Sequence, residues 1–483
     1  MRKILISQIG CERNPFEALV SFGGGSEYPV IVTDPFSQED EKRLEWYFEH
    51  YCKCHPDEKA EAEKAEKTAQ SISDYGEHLF EQIFIRDPKI YAEYKHCKDR
   101  KEPLKFEIAG DPQFHALHWE TLKEPDPLCK PCALSAQMVR KNLEPQSGRA
   151  EIEKPPSVIN LLIVTARRAA RKEINTRSVT LPVVKKLRQS RVRVNIRILR
   201  PGTFDALRNH LADKGRGHYH IIHLDMHGSV LTYEDLQKGF QADPSGMSGY
   251  GGPAVRYYED SRAFLFMEST GKNSSYDPVA AEKLAELLNG YQIPVAVLNA
   301  CQSAGHTGKD GISLGACLIK AGVQTVLGIG YSMMADGATL MMTHLYEKLF
   351  DKKSLSKGIL AREELYYNRK RKVCRYQTFL ELEDWMLPIV WENREVNLTV
   401  RELTPDESRI YFERKAGAYP FPKTDYDFAE RDYDIQETER RILSCNLLFG
   451  VWTGGCRKNR SASASRCMVA GNRVCGSGFL FQL

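Results

Sequence analysis

From residue 158 onward the chain alternates short, almost wholly apolar runs with amphipathic ones. VINLLIVTA (158–166), VRVNIRIL (192–199), HIIHLDM (220–226), PVAVLNA (294–300) and VQTVLGIG (323–330) predict strands. VTLPVVKKL (179–187), FDALRNHLADKG (204–215), VAAEKLAELLNGY (279–291), SLGACLIKAG (313–322) and ADGATLMMTHLYEKLF (335–350) predict helices between and after them. Nearly all-apolar strands separated by amphipathic helices imply a parallel sheet covered on both faces. In such sheets the working residues stand in loops just past the carboxyl ends of the strands.

The rhythm before residue 150 is weaker. Residues 28–33 and 104–109 read as strands, the Glu-, Lys- and Ala-rich stretch 57–67 as a solvated helix, and 76–84 as a second helix. A polar, Pro-containing connector spans 145–156, so a boundary is placed near 150. After the series come the helix SLSKGILAREELYYNRKR, a segment DWMLPIVW, and a polar, tyrosine-rich stretch that reads as a linker over 394–435. The domain division is therefore 1–150, 151–393, 394–435 and 436–483.

Composition changes this picture little. The chain has 483 residues, long enough for two to four domains, and its 42% hydrophobic and 27% charged residues are those of a globular protein. A net charge of +4 gives no case for nucleic acid or an anionic membrane as partner. No apolar run reaches the length of a membrane span, and the N-terminal apolar stretch is too short for a secretory signal. Thirteen cysteines without regular spacing then suggest reduced thiols in the cytoplasm. Cys52-Lys-Cys54-His55 and Cys129-Lys-Pro-Cys132 each offer half of a zinc site, but neither has a second half, and loop thiols are the better reading. No cofactor or metal is expected.

Two residues stand where chemistry is expected. His227-Gly228 follows the strand HIIHLDM, and Cys301 follows PVAVLNA. A thiol attacks an amide as its thiolate, which requires a base or cationic neighbour, and a histidine also protonates the leaving amine. The Gly228 and Cys301 amides can then form an oxyanion hole, since Gly228 carries no side chain to block approach. His218, His220 and His223 are nearby competitors; His223 alternates with Asp225 inside the strand and so faces packed helices, leaving His227 as the histidine past the strand end.

HIIHLDMHG with VLNACQSA and the apolar helix that follows resembles the clan CD peptidases, which include caspases, separase and metacaspases, and within them the CHAT domain of bacteria. Asn299-Ala300-Cys301-Gln302-Ser303 matches the central Ala-Cys-Gln of caspases and departs at both ends. The His–Cys separation of 74 residues exceeds that of caspases, and an insertion over 233–272 accounts for the excess. The resemblance covers about residues 75 to 393, including DPQFHALHWETL, YSMMADGATLMMTHLYEKLF and DWMLPIVW. It implies an α/β, caspase-like parallel-sheet sandwich, with a degenerate N-terminal half before the active half. It also implies a cysteine endopeptidase that cuts a specific protein partner in bacterial defence or cell-death signalling, under an activator protein or sensor. The alternatives are a catalytically silent caspase-fold interaction module or the remnant of a STAND NTPase signalling protein.

The loop TARRAARKEINTRS places Arg167 and Arg177 where the family often has arginines, and a pocket lined by them would favour an acidic residue. Solvated surface arginines are the plain alternative. Asp336 would instead make an acidic pocket for Arg or Lys, although an N-cap is its simpler role. At the far end, 432–448 resembles the entry to the NTPase module of STAND ATPases. Val451-Trp452-Thr453-Gly454-Gly455-Cys456-Arg457-Lys458-Asn459 then fails the phosphate-loop pattern and should not hold ATP. Ordinary codons for Cys456 onward, read one base later, give Ala-Gly-Lys-Thr. The expectation is a frameshift that leaves 456–483 out of frame and the NTPase truncated, so that the regulator is lost and the effector kept.

Overall fold

The apolar runs do form strands. The computed structural model describes residues 2–10, 14–52, 59–100, 102–143, 152, 154–166, 183, 193–238, 257–269, 276–300, 313–352, 354–373 and 378–416. Strands β1 (Arg2–Ile9), β2 (Phe16–Phe22) and β3 (Glu27–Val32) make an antiparallel meander with alternating burial. Helix α1 (Gln38–Trp46) starts at a Ser37–Asp40 capping box and runs on into a π turn, Tyr47–Tyr51. Helices α2 (Lys59–Phe80) and α3 (Pro88–Asp99) follow, and then β4 (Leu104–Gly110), α4 (Cys132–Ser135) and β5 (Gln137–Asn142).

Where the sequence suggested separate helices over 57–67 and 76–84, α2 runs unbroken from Lys59 to Phe80 and gives way to a π turn at Glu81–Ile85. Gly76 is a close-approach residue inside that helix. A Cβ there would lie 1.9 Å from the Thr121 carbonyl oxygen, so the glycine lets a neighbouring turn pack on the helix.

The second half contributes β6 (Ile159–Ala166), β7 (Val194–Leu199), α5 (Phe204–Lys214), β8 (Ile221–Leu231), α6 (Tyr233–Lys238), β9 (Arg262–Glu268) and β10 (Tyr276–Ala280). Next come α7 (Ala281–Gly290), β11 (Val295–Asn299), α8 (Leu314–Lys320), β12 (Thr325–Ile329), α9 (Ala335–Lys352), α10 (Leu355–Gly358) and α11 (Arg362–Tyr367). The hairpin β13 (Lys370–Val373) and β14 (Thr378–Glu381), strand β15 (Pro388–Glu392) and helix α12 (Pro405–Ala416) complete it. Of the helix expected over 179–187 only Val183 is among the described residues. The stretch read as a linker, 394–435, contains α12, whose Tyr411 is buried with its hydroxyl 3.4 Å from the Val194 carbonyl oxygen.

One sheet joins the halves, in the order β7-β6-β8-β11-β12-β15-β5-β4-β1-β2-β3. The pairs β6–β7, β6–β8, β8–β11, β11–β12, β4–β5 and β1–β4 are parallel, which gives the α/β sandwich expected from the sequence. On β6 and β8 the side chains alternate between two cores. Leu161, Ile163 and Ile221 join Met341, Leu345 and Leu349 of α9, while Leu162, Val164 and Leu224 join Leu284 and Leu288 of α7 and Leu318 of α8.

The seam is β15, antiparallel to β12 and parallel to β5 through Trp391↔Arg140. It is unusually ionic for a sheet centre. Lys105, 2% exposed, pairs with Glu392, 1% exposed, and with Glu107, while the Ser356 hydroxyl donates to Glu392. Arg140 pairs with Glu120, donates to the carbonyls of His115 and Leu117, and lies over the Trp391 ring. Burying these five charges is tolerable only because each meets an opposite charge or a hydrogen-bond partner.

Candidate active site

The carboxyl edge of the parallel strands is built from the ends of β6, β8, β11 and β12. Strand β8 stays in register with β11 to Asp225↔Asn299 and with β6 to Met226↔Ala166. His227 is the next residue, so it stands immediately past the last parallel pair. The strand does not end there, however. Residues 227–231 continue as strand and pair antiparallel with β9, His227 opposite Phe266 and Gly228 opposite Leu265. The insertion over 233–272 thus supplies β9, which pairs with the His227-Gly228 backbone beyond the last parallel pair. Tyr276 of β10 sets its ring edge-on to the imidazole, centroids 6.0 Å apart, and His227 is half-buried.

Beneath His227, on the same face of β8, lie Asp225 and His223. Asp225 is 1% exposed and accepts a hydrogen bond from the Asn299 side-chain amide at 2.9 Å. His223 faces the packed helices as expected, its Nδ1 2.8 Å from the Tyr346 hydroxyl of α9. The other histidines are occupied in structure. His220 Nδ1 accepts from the Asn160 amide at 2.9 Å, and burial, then His218, lowers its pKa to about 4. Burial lowers His218 as well, with help from Lys214.

Cys301, Arg167 and Arg177 lie outside the described residues, as do Cys54 and His55. The strand that leads to Cys301 is described to Asn299 and the buried Ala300. Asp336 is exposed and is the second residue of α9, not the residue before it. Its Oδ1 accepts from the Gly337 amide at 2.7 Å inside the first turn, so it does not serve as the N-cap. Behind it is a buried pair, Arg371 with Asp384. Burial raises the Asp384 pKa to about 6 against the pull of Arg371, with Asp336 adding to the rise. Cys129 lies near Lys98 and Glu124, and Cys132 near the Tyr94 hydroxyl; burial pushes the Cys132 thiol up to about 12.

The segment after β12 is also fixed from the other half of the molecule. The Ser332 amide donates to Glu49 at 2.7 Å, and Phe48 stacks on Tyr331 with centroids 5.4 Å apart. Tyr331 donates to Glu41 at 3.4 Å, and Glu41 holds His118 at 2.9 Å. Sequence reasoning missed these residues. For Asp225 a signal existed: an acid inside an otherwise apolar strand.

The model of the CHAT domain matches residues 78–391, well over half of the chain. The chain belongs to the CHAT domain family. No curated protein matches the sequence. Among solved structures it is similar to the separase of the Saccharomyces cerevisiae separase–securin complex, with 10% identity and a TM-score of 0.41 over 82% of this chain and 30% of that one. It is also similar to the complex of Porphyromonas gingivalis RgpB pro- and mature domains, with 12% identity and a TM-score of 0.35, covering 70% of this CHAT chain and 78% of that one. Among the described residues no helix is long and apolar enough to cross a membrane.

Proposed function

We propose that this CHAT chain is a cysteine endopeptidase in which His227 is the acid–base and Cys301 the nucleophile. The observation that carries the reading is the position of His227, the first residue past the last parallel pair of β8. The adjacent strand β11 runs to Asn299, two residues before Cys301. Adjacent strands are about 4.8 Å apart, so side chains at neighbouring carboxyl ends fall within reach of one another. His227 takes the thiol proton and returns it to the leaving amine; Gly228 and the Cys301 amide hold the oxyanion. Arg167, Arg177 and Asp336 are the candidate determinants of the residue before the cut, and Asp336, exposed at the start of α9, favours a basic one.

The substrate is a specific protein partner, and a role in bacterial defence or cell-death signalling under an activator fits a peptidase of this family. Residues 436–483, read as the truncated start of a STAND-type phosphate-loop module, lie outside the described residues; the coding DNA tests the frameshift directly. The test of the peptidase reading is N-terminal mapping of cleaved proteins in cells expressing wild type or Cys301→Ala. New termini should appear with wild type alone. Identical termini in both would leave a non-catalytic interaction module as the function.

A further inference from the structure

A side-chain hydrogen bond joins the strand of His227 to the strand that leads to Cys301: the Asn299 amide donates to Asp225 at 2.9 Å. They are a registered pair, Asp225↔Asn299, and Thr165 of β6 pairs with Asp225 from the other side. All three are at least nine-tenths buried. Strand alternation puts His223, Asp225 and His227 on one face of β8. His223's contact with Tyr346 and Asp225's with Asn299 fix which face that is. A carboxylate in an apolar strand is costly to bury, and such breaks of local pattern collect at functional sites.

We propose that Asp225 and Asn299 are positioning residues of the peptidase, Asp225 for the imidazole of His227 and Asn299 for the carboxylate of Asp225. The inference rests on the His227–Cys301 reading. Same-face residues two apart on a strand are about 6.8 Å apart at Cα, within reach of a carboxylate and an imidazole leaning together. A negative charge at that range in a site of low dielectric favours the imidazolium, which in turn favours the thiolate. The Asn299 amide holds one carboxylate oxygen by its N–H, so the charge stays at one place beneath His227. The same bond anchors β11 two residues before Cys301, so the base and the nucleophile strands share one fixed point. Among the described residues, His223 and His227 flank Asp225 along the strand, Thr165 and Asn299 stand across it, and Tyr346 of α9 contacts His223.

The test is site-resolved alkylation of Cys301 by iodoacetamide across pH in the full chain, followed by mass spectrometry. Cys132 and Cys317, whose thiols burial pushes up to about 12, serve as slow internal references. Asp225→Asn should move the acid limb of the profile up by about one unit and slow labelling at pH 6 about tenfold. The exchange Asp225→Asn with Asn299→Asp keeps the hydrogen bond and the net charge but moves the carboxylate to the nucleophile's strand. It should regain the thermal stability lost in the single variant without regaining the pH 6 rate, and it carries the test if the single variant does not fold. An exchange variant that labels within twofold of wild type, or an acid limb unmoved by Asp225→Asn, overturns the proposal. If His227→Ala slows labelling while Asp225→Asn does not, the proposal alone falls. If His227→Ala also leaves labelling unchanged, the His227–Cys301 pair is wrong and the proposal falls with it.

Discussion

Replacing Lys105 by methionine should weaken the whole sheet, because the lysine is the cation at its centre. Its ammonium is 2% exposed between Glu392, 1% exposed, and Glu107, 3.5 Å away. Burial alone would lower the Lys105 pKa; the charge of Glu392, then Glu107, holds it above the usual value. After the substitution Glu107 keeps Lys141 at 3.2 Å and Lys3 at 3.3 Å. Glu392 keeps the Ser356 hydroxyl alone among the contacts described. Stripping one partner from a buried pair costs about 3–5 kcal/mol. At an unfolding entropy of about 2.1 cal/mol/K per residue, a cooperative unit of about 400 residues converts this to a fall in Tm of about 4–6 °C. Differential scanning calorimetry and urea unfolding of wild type, Lys105→Met and Lys105→Met/Glu392→Gln measure it. The double variant removes the stranded charge and should recover at least half of the loss. A loss below about 1 kcal/mol for the single variant, the value of an exposed pair, would refute the claim that this seam is dry and charge-matched.

Three further outcomes follow from the geometry. Gly76→Ala should cost about 3 kcal/mol or more in urea unfolding, since its Cβ would lie 1.9 Å from a backbone carbonyl oxygen that cannot step aside. Asp384, with a folded pKa of about 6 against 3.8, binds its proton more tightly folded than unfolded, so its contribution to stability is lost as pH rises from about 4 to 6. Wild type should therefore lose up to about 3 kcal/mol relative to Asp384→Asn across that window, and two parallel stability curves would contradict it. His118 runs the other way in charge: burial pulls its pKa down, but Glu41 and then Asp34 outweigh burial and raise it. Its stabilisation is complete below about pH 6.5 and lost as pH rises through the raised value. His118→Gln should flatten Tm above pH 6.5, where wild type declines.

Much of the second half was legible because its strands are apolar on both faces. VINLLIVTA, HIIHLDM, PVAVLNA and VQTVLGIG all became strands of the parallel core. Their ends were harder. His227 through Leu231 looked like a loop because Gly228 and Ser229 break the apolar run, yet pairing with β9 holds them extended. Pairing with partners 31 to 39 residues away in sequence (Leu231 with Arg262, His227 with Phe266) leaves no local signal. The ionic seam was equally hidden: Lys105, Glu107 and Arg140 sit in strands whose pattern suggests water on one face, and only the fold brings Glu392 to Lys105 and Glu120 to Arg140. In the candidate site, His227 and Gly228 could be picked out by position, whereas Asn299 acquires a role only through its partner on the next strand.

The place of β15 in the sheet has a consequence for the order of synthesis. It is the last strand of the second half to be made, yet it is the piece inserted between β12 and β5. Until residue 392 has left the ribosome, the nascent first half carries β5 with an open edge and a Lys105 that has Glu107 but lacks Glu392. Such an edge invites pairing with the wrong strand. The central joint therefore forms only after both flanking strands have been made, and any premature stop before Pro388 yields two half-sheets with no strand to join them.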